Sequence, residues 1–223
     1  MMSSLKLVPL VIFTVVLVVT YSNLAEAMTV DEALANLRNY KFGQDSETLN
    51  TIRNAATQSF DNPSVRAHLA DGLAKILESD AAYDAKQFAC RQLTLIGSER
   101  HIPALARHLA DEKMSHIALY ALIHIPGSQV DKALLEALEN ATGRARTGII
   151  TALGERGTDS AVDKLTELLG STDMDTASES ARALGRIATD KAAASLEKAF
   201  AGQTGADQIV AADAFLACAD KTF

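Results

Sequence analysis

An internal repeat constrains this chain more than any other feature of its sequence. Residues 152–154 read Ala-Leu-Gly and are followed by Leu165, and 31 positions later residues 183–185 read Ala-Leu-Gly again and are followed by Leu196. The register continues to Phe215 and runs back towards the first third of the chain in steps of 31 and then 29 residues. Self-similarity at a period of about 20 to 50 residues is typical of stacked supersecondary units. The sequence therefore predicts an elongated array of repeated units.

Each repeated unit has the pattern of two helices joined by a turn. In the first full unit, Asn62-Pro63 is a helix start signal, and Leu69, Leu73 and Leu77 then lie four residues apart. The chain has no Trp, 5% aromatic residues and four prolines, as in helical proteins rich in Ala and Leu. We expect an all-α superhelix of about five and a half two-helix repeats, with later units at 81–110, 114–140, 143–170 and 174–201 and a half unit at 205–218.

The first 27 residues have the pattern of a signal peptide. Lys6 precedes a run from residue 7 to residue 19 that is apolar except for Thr14, and residues 25–27 read Ala-Glu-Ala, which signal peptidases recognise. We expect cleavage before Met28 and export to the periplasm or the medium, with no stable membrane span after cleavage. The alternative is an uncleaved anchor, because the run is not far below the roughly 18 apolar residues of a spanning helix.

The chain is thus expected to have three segments. They are a signal peptide at 1–27, an N-terminal capping helix with its linker at 28–44, and the repeat array at 45–223. The capping helix is predicted from Thr29 and Glu32, which have the spacing of a capping box.

The charge of the chain excludes one class of partner. Its 21 Lys and Arg residues are interleaved with 28 Asp and Glu residues, and cleavage before Met28 leaves the formal charge of −7 unchanged. Nucleic-acid binding needs clustered basic side chains that neutralise phosphates. We therefore expect a protein or peptide partner and no nucleic acid.

The sequence contains no motif for catalysis or for binding a metal or cofactor. His101 and His108 lie seven residues apart, but their register partners are apolar, so we interpret them as partly buried or boundary residues. Cys90 and Cys218 occupy core positions four units apart, a separation of about 40 Å that no disulfide can span. The sequence predicts buried thiols and no cofactor.

The repeat resembles the short bacterial, phycobilisome-lyase-like type of HEAT repeat, most closely at residues 183–187, Ala-Leu-Gly-Arg-Ile. Residues 85–93 and 115–122 are similar to HEAT regions of exported environmental bacterial proteins. The resemblance implies a protein-binding solenoid, although two enzymes share this fold. Deoxyhypusine hydroxylase holds two irons with His-Glu pairs, whereas none of the five His residues here is followed by Glu. Phycobilin lyases of the E/Z type are the other relatives, but nothing in this sequence marks a bilin cleft.

One polar register remains as a candidate binding site. Arg107, Glu136, Glu167 and Lys198 occupy the same position in four successive second helices. Second helices usually line the concave side of HEAT solenoids, so the resemblance implies that these charges follow the inner surface. The alternative is a row of solvated charges, each of which contributes little to stability.

The end of the chain has the pattern of an unpaired helix. Residues 205–218 reproduce a first helix, and residues 221–223 leave no room for a second one. Ile209, Phe215 and Leu216 would then have no second helix of their own unit to cover them. We expect a docking surface here, for another copy or another chain. The alternative is that the sequence is a piece of a longer protein.

These patterns together predict an exported, non-catalytic protein-binding or scaffolding module. The alternative is a regulatory or accessory module of a larger carbohydrate-active or redox enzyme, or a HEAT-fold oxidoreductase or lyase without a visible site. The repeat motif specifies the fold and is nearly silent about function.

Overall fold

The computed structural model of the chain describes residues 28–44, 46–202 and 206–222. The expected signal peptide at 1–27 lies outside the described residues. Within the described ranges the regular elements are helices and none is a strand. The α-helices are α1 (Val30–Leu37), α2 (Ser46–Gln58), α3 (Pro63–Glu78), α4 (Tyr83–Ile96), α5 (Ile102–Ala106), α6 (Ser115–Ile123), α7 (Ser128–Leu138), α8 (Gly143–Glu155), α9 (Val162–Leu168), α10 (Met174–Ile187), α11 (Asp190–Gly202) and α12 (Ala206–Thr222). One-turn 3₁₀ helices lie at Ser59–Asp61, Glu99–His101 and Asp159–Ala161.

The helices form two layers. From α2 to α11 they make five consecutive pairs, and α12 is the first helix of a sixth unit. The first helices α2, α4, α6, α8, α10 and α12 pack against one another in order, the second helices form the other layer, and α1 packs against α2 and α3. The prediction of an all-α solenoid with about five and a half two-helix repeats is confirmed.

Two helix starts follow directly from the sequence. Thr29 caps α1, because its hydroxyl accepts the Glu32 N–H at 3.3 Å and its own N–H donates to the Glu32 carboxylate at 2.8 Å. At the start of α3, the Asn62 side chain accepts the Val65 N–H at 3.2 Å, and Pro63 stands where no N–H is needed. Val65 lies four residues before Leu69 but is 38% exposed, since it lies in the first turn, before the buried part of the helix.

The repeated leucines form the core. Leu93, Leu122, Leu153 and Leu184 come from four successive first helices, and all four are fully buried in one continuous hydrophobic cluster. Helical spacing places this register between the two layers, as the sequence predicts.

Both cysteines are core residues, as their register predicts. Cys90 lies in α4 and Cys218 in α12, and both are buried thiols that form no disulfide with each other. Burial raises the pKa of the Cys90 thiol to about 12, so this thiol is protonated at neutral pH.

The glycines of the Ala-Leu-Gly repeat let neighbouring first helices approach closely. A Cβ atom at Gly154 would lie 2.7 Å from the Cα of Ala183, and a Cβ at Gly185 would lie 2.6 Å from the carbonyl oxygen of Ala214. A side chain at either position would overlap the backbone of the next first helix. α8, α10 and α12 are therefore packed backbone to backbone at the same point of each unit.

Candidate protein-binding surface

Charged side chains lie along the second helices. Arg107 directly follows α5, Glu136 lies on α7, Glu167 on α9 and Lys198 on α11, and all four residues are exposed. The Arg107 guanidinium lies 3.9 Å from the carboxylate of Glu78, the last residue of α3. This distance shows that α3 and α5 bring opposite charges together on the second-helix layer.

Glu78 extends the register by one helix. It lies 29 residues before Arg107, the same step that separates Arg107 from Glu136. The contact between Arg107 and Glu78 therefore joins two successive register positions across neighbouring second helices. Sequence reasoning missed Glu78, although the 29-residue step was a signal that could have found it. The charge row is Glu78, Arg107, Glu136, Glu167 and Lys198.

Lysine side chains connect the later second helices. Lys164 of α9 lies 3.0 Å from Glu139, which directly follows α7, and 3.5 Å from Glu167 of the charge row. The hydrogen bond to Glu139 raises the pKa of Lys164. Lys191 of α11 lies 2.7 Å from Asp163 of α9. Ion pairs thus cross from α7 to α9 and from α9 to α11, so alternating charge continues along this layer.

The ion pairs of the charge row are solvent-exposed. Glu136 pairs within α7, with Lys132 at 3.9 Å, and both side chains are largely accessible. Exposed pairs of this kind contribute only about 0 to 1 kcal/mol, because water screens both charges. A partner can therefore exchange these contacts for its own at little cost in solenoid stability.

His101 is buried, with 3% of its surface exposed, and belongs to a network of hydrogen-bonded polar residues. Its Nδ1 accepts the peptide N–H of Ser98 at 2.9 Å, and its Nε2 lies 3.0 Å from Asp71. Asp71 also accepts a hydrogen bond from Arg100 at 2.7 Å. These are the residue types of a Ser-His-Asp triad, but the Nδ1 lone pair is directed at a backbone donor and cannot take the Ser98 hydroxyl proton. The arrangement caps the helical turn that precedes α5.

His108 is half-buried, and its Nε2 lies 3.0 Å from the carbonyl oxygen of Leu77. The interpretation of His101 and His108 as partly buried or boundary residues is thus right for His108, while His101 lies deeper. The deeper position comes from Asp71, which stands 30 residues earlier and offers a carboxylate to the buried ring.

Residues 131–217 match the family model described as HEAT repeats, and this segment runs from α7 into α12. Residues 131–217 therefore form a HEAT-repeat region. The resemblance of residues 183–187 to a HEAT unit is confirmed, since these residues lie inside the matched segment. Repeat solenoids present extended surfaces, and the HEAT fold is typical of protein-interaction scaffolds.

Several solved structures are similar to this chain. A designed armadillo repeat protein has 16% identity over 85% of this chain and 99% of its own, with a TM-score of 0.43. Human deoxyhypusine hydroxylase in complex with glycerol has 21% identity over 86% of this chain and 77% of its own, with a TM-score of 0.46. An engineered protein has 22% identity, coverages of 86% and 96%, and a TM-score of 0.47. At these TM-scores none of the likenesses bears on function, and a comparison with curated proteins finds no match.

The last helix of the repeat array, α12, leaves two apolar side chains in solvent. Ile209 is 63% exposed and Leu216 is 62% exposed, seven residues apart on α12. Phe215, which was expected to be uncovered with them, is half-buried and packs against the core. Phe215 has the same register as Leu153 and Leu184, so its side chain points between the two layers. At this place α11 packs against α12.

The part of the chain that the structure describes has neither a cluster of metal-binding side chains nor a membrane-spanning helix. No group of three or more His, Cys, Asp or Glu residues in that part is arranged to hold a metal ion. No helix in the described ranges combines the length and hydrophobicity that crossing a membrane requires.

Proposed function

We propose that this HEAT-repeat protein is an exported, non-catalytic scaffold that holds a protein or peptide partner along its second-helix layer. The observation that carries the proposal is the 3.9 Å contact between Arg107 and Glu78, which makes neighbours of two successive positions of the charge row. Charged side chains that recur at one position of successive second helices offer a partner an extended set of charges.

The signs of the charges favour a protein as the partner. Arg107 and Lys198 stand at two positions of the charge row and acidic side chains at the other three, so the row has no basic stretch that would follow a phosphate backbone. A polypeptide can present both signs at the matching spacing. Complementary charges of this kind fix the register of a partner and speed its association more than they add to affinity.

The proposal is tested with the charge row reversed. The mature wild-type chain is used to capture a partner from the periplasm or the medium, and the purified partner is then titrated against wild type and the double variant Glu136→Lys/Glu167→Lys. We expect an increase in Kd of at least about tenfold, with unchanged helicity by circular dichroism, because each reversal places like charges opposite each other.

The matched control is Asp61→Lys/Glu155→Lys. Both residues are exposed and stand outside the charge row, and the double change alters the net charge by the same amount. This control is expected to bind as the wild type does. Equal Kd values for the row variant and the wild type would mean that the charge row is a solvated surface and does not bind the partner.

A further inference from the structure

A groove of about 280 Å³ opens between the first turns of α6 and α8, in the first-helix layer. Its floor is apolar and includes Leu119 and Ile149, while Glu112, His116 and Arg144 stand around it. The groove exists because Gly148 lacks a side chain. A Cβ atom at position 148 would have one neighbouring atom within 4 Å, the Leu119 Cδ2 at 3.3 Å.

A serine hydroxyl faces this groove without a partner in the described part of the chain. Ser115, the first residue of α6, is 8% exposed and lines the groove, and its hydroxyl makes no hydrogen bond to any described residue. The Ser115 oxygen is not among the enclosed side-chain atoms of the described residues that lack a partner, so it is not enclosed and is reached from the groove. The Ser115 hydroxyl therefore has a free donor for an oxygen atom that enters the groove.

The helix start of α8 at the groove has no side-chain cap. The Asp111 carboxylate accepts the N–H groups of Lys113 at 2.8 Å and Met114 at 2.9 Å in the turn that leads into α6. At the start of α8 the Thr142 side chain makes no capping hydrogen bond. The first N–H groups of α8 carry the positive end of the helix dipole, so this end of the groove attracts a negative charge.

The side chains at the same end suit a carboxylate. Arg144 lies in the first turn of α8, and its guanidinium forms no ion pair within the described part of the chain. A guanidinium binds a carboxylate through two parallel hydrogen bonds, and an imidazole such as that of His116 offers a further N–H donor. Glu112 has the opposite charge and repels an anion, but its carboxylate can accept a hydrogen bond from a peptide N–H.

We propose that this groove binds the C-terminal residue of a polypeptide whose last side chain is apolar. The terminal carboxylate is held by Arg144, the Ser115 hydroxyl and the start of α8, and the apolar side chain rests on Leu119 and Ile149. The volume lies just below the about 300 Å³ at which pockets for drug-sized ligands begin, which suits one residue rather than a long ligand. Capture of a chain end by backbone N–H groups is a recurring mode of peptide recognition. The proposal does not depend on the charge row, because the groove uses the other helix layer.

The test compares two short peptides by fluorescence polarisation on the mature chain. Both carry an N-terminal dye and the sequence Gly-Ser-Gly-Ala-Leu, and one ends in a free carboxylate while the other ends in an amide. We expect the free acid to bind at least about tenfold more tightly than the amide, since a charge-assisted pair is lost in the amide. Arg144→Gln is expected to remove this preference. Lys113→Gln, an equal change of charge on a side chain that does not line the groove, is expected to retain it.

Three results would overturn the proposal. They are no binding of the free acid at millimolar peptide, equal binding of acid and amide, or equal loss of the preference in Arg144→Gln and Lys113→Gln. Competition with inorganic phosphate adds a fourth, because displacement as effective as that by unlabelled acid peptide would mean a general anion site. None of these outcomes changes the expected result for Glu136→Lys/Glu167→Lys, so failure here and failure of the scaffold proposal are distinguishable.

Discussion

Gly154 of α8 packs so closely on α10 that a Cβ atom at position 154 would lie 2.7 Å from the Cα of Ala183. Gly154→Ala is therefore expected to destabilise the fold by about 1 to 3 kcal/mol, because the two helices must move apart. The control is Gly148→Ala in the same helix, where the added Cβ meets only the end of a Leu side chain and helix propensity improves. Urea unfolding followed by circular dichroism measures both. Equal stability of the two variants would mean that the joint between α8 and α10 can relax.

The buried register predicts a second difference. Leu153 is fully buried, and Leu153→Ala is expected to cost about 2 to 5 kcal/mol through lost burial and the cavity that remains. Leu95→Ala removes the same atoms from a side chain that is 56% exposed, and it is expected to change stability by about 0.5 kcal/mol or less. Thermal unfolding of the two variants checks the contrast, and similar melting temperatures would contradict the assigned layers.

Cys90 predicts a dependence of stability on pH. Its ordinary pKa of 9.0 applies in the unfolded chain, whereas burial raises the folded pKa to about 12. Between these values the unfolded state releases a proton that the folded state keeps, so this contribution is complete below pH 9 and is lost as the pH rises. The free energy of unfolding of wild type is expected to approach that of Cys90→Ala above pH 9, by at most about 1.4 kcal/mol per pH unit. Urea unfolding across this range measures both chains, and parallel pH profiles would contradict an inaccessible thiol.

The proposed export predicts a defined mature N-terminus. Protein isolated from the periplasm or the medium of its natural source is expected to begin at Met28, because residues 25–27 read Ala-Glu-Ala. Intact-mass measurement distinguishes this from the uncleaved alternative, in which the mass includes Lys6 and the apolar run. Recovery of the full-length chain from the membrane fraction would contradict cleavage.

The register predicted most of the fold because helical spacing is a local property of the sequence. Leu153 and Leu184 are buried as expected, since their neighbours along each helix already fix the face that turns inward. Phe215 follows the same register and packs against the core, because α11 of the preceding unit lies against α12. The prediction that Phe215 is uncovered was wrong because it took account only of helices in the same unit.

Contacts between units could not be predicted in the same way. The burial of His101 depends on Asp71, and the sequence does not show that α3 brings this carboxylate to the ring. The groove at Gly148 had a weak signal, because Ile117 and Glu179 stand at the corresponding positions of the adjacent units. The polar character of the groove depends on Thr142, whose side chain makes no capping hydrogen bond to α8. This lack of a cap follows from backbone geometry rather than from residue type.

Gly154 packs against Ala183 in the same way as Gly185 packs against Ala214, so the same type of contact joins two successive pairs of first helices. The unit between these two contacts is therefore an interchangeable module. A second copy of residues 155–185 inserted after Gly185 would place its own Ala against Gly185 and its own Gly against Ala214. The array can thus grow by tandem duplication without a new type of contact. Duplication or deletion of whole units can therefore change the length of this protein while its architecture stays the same.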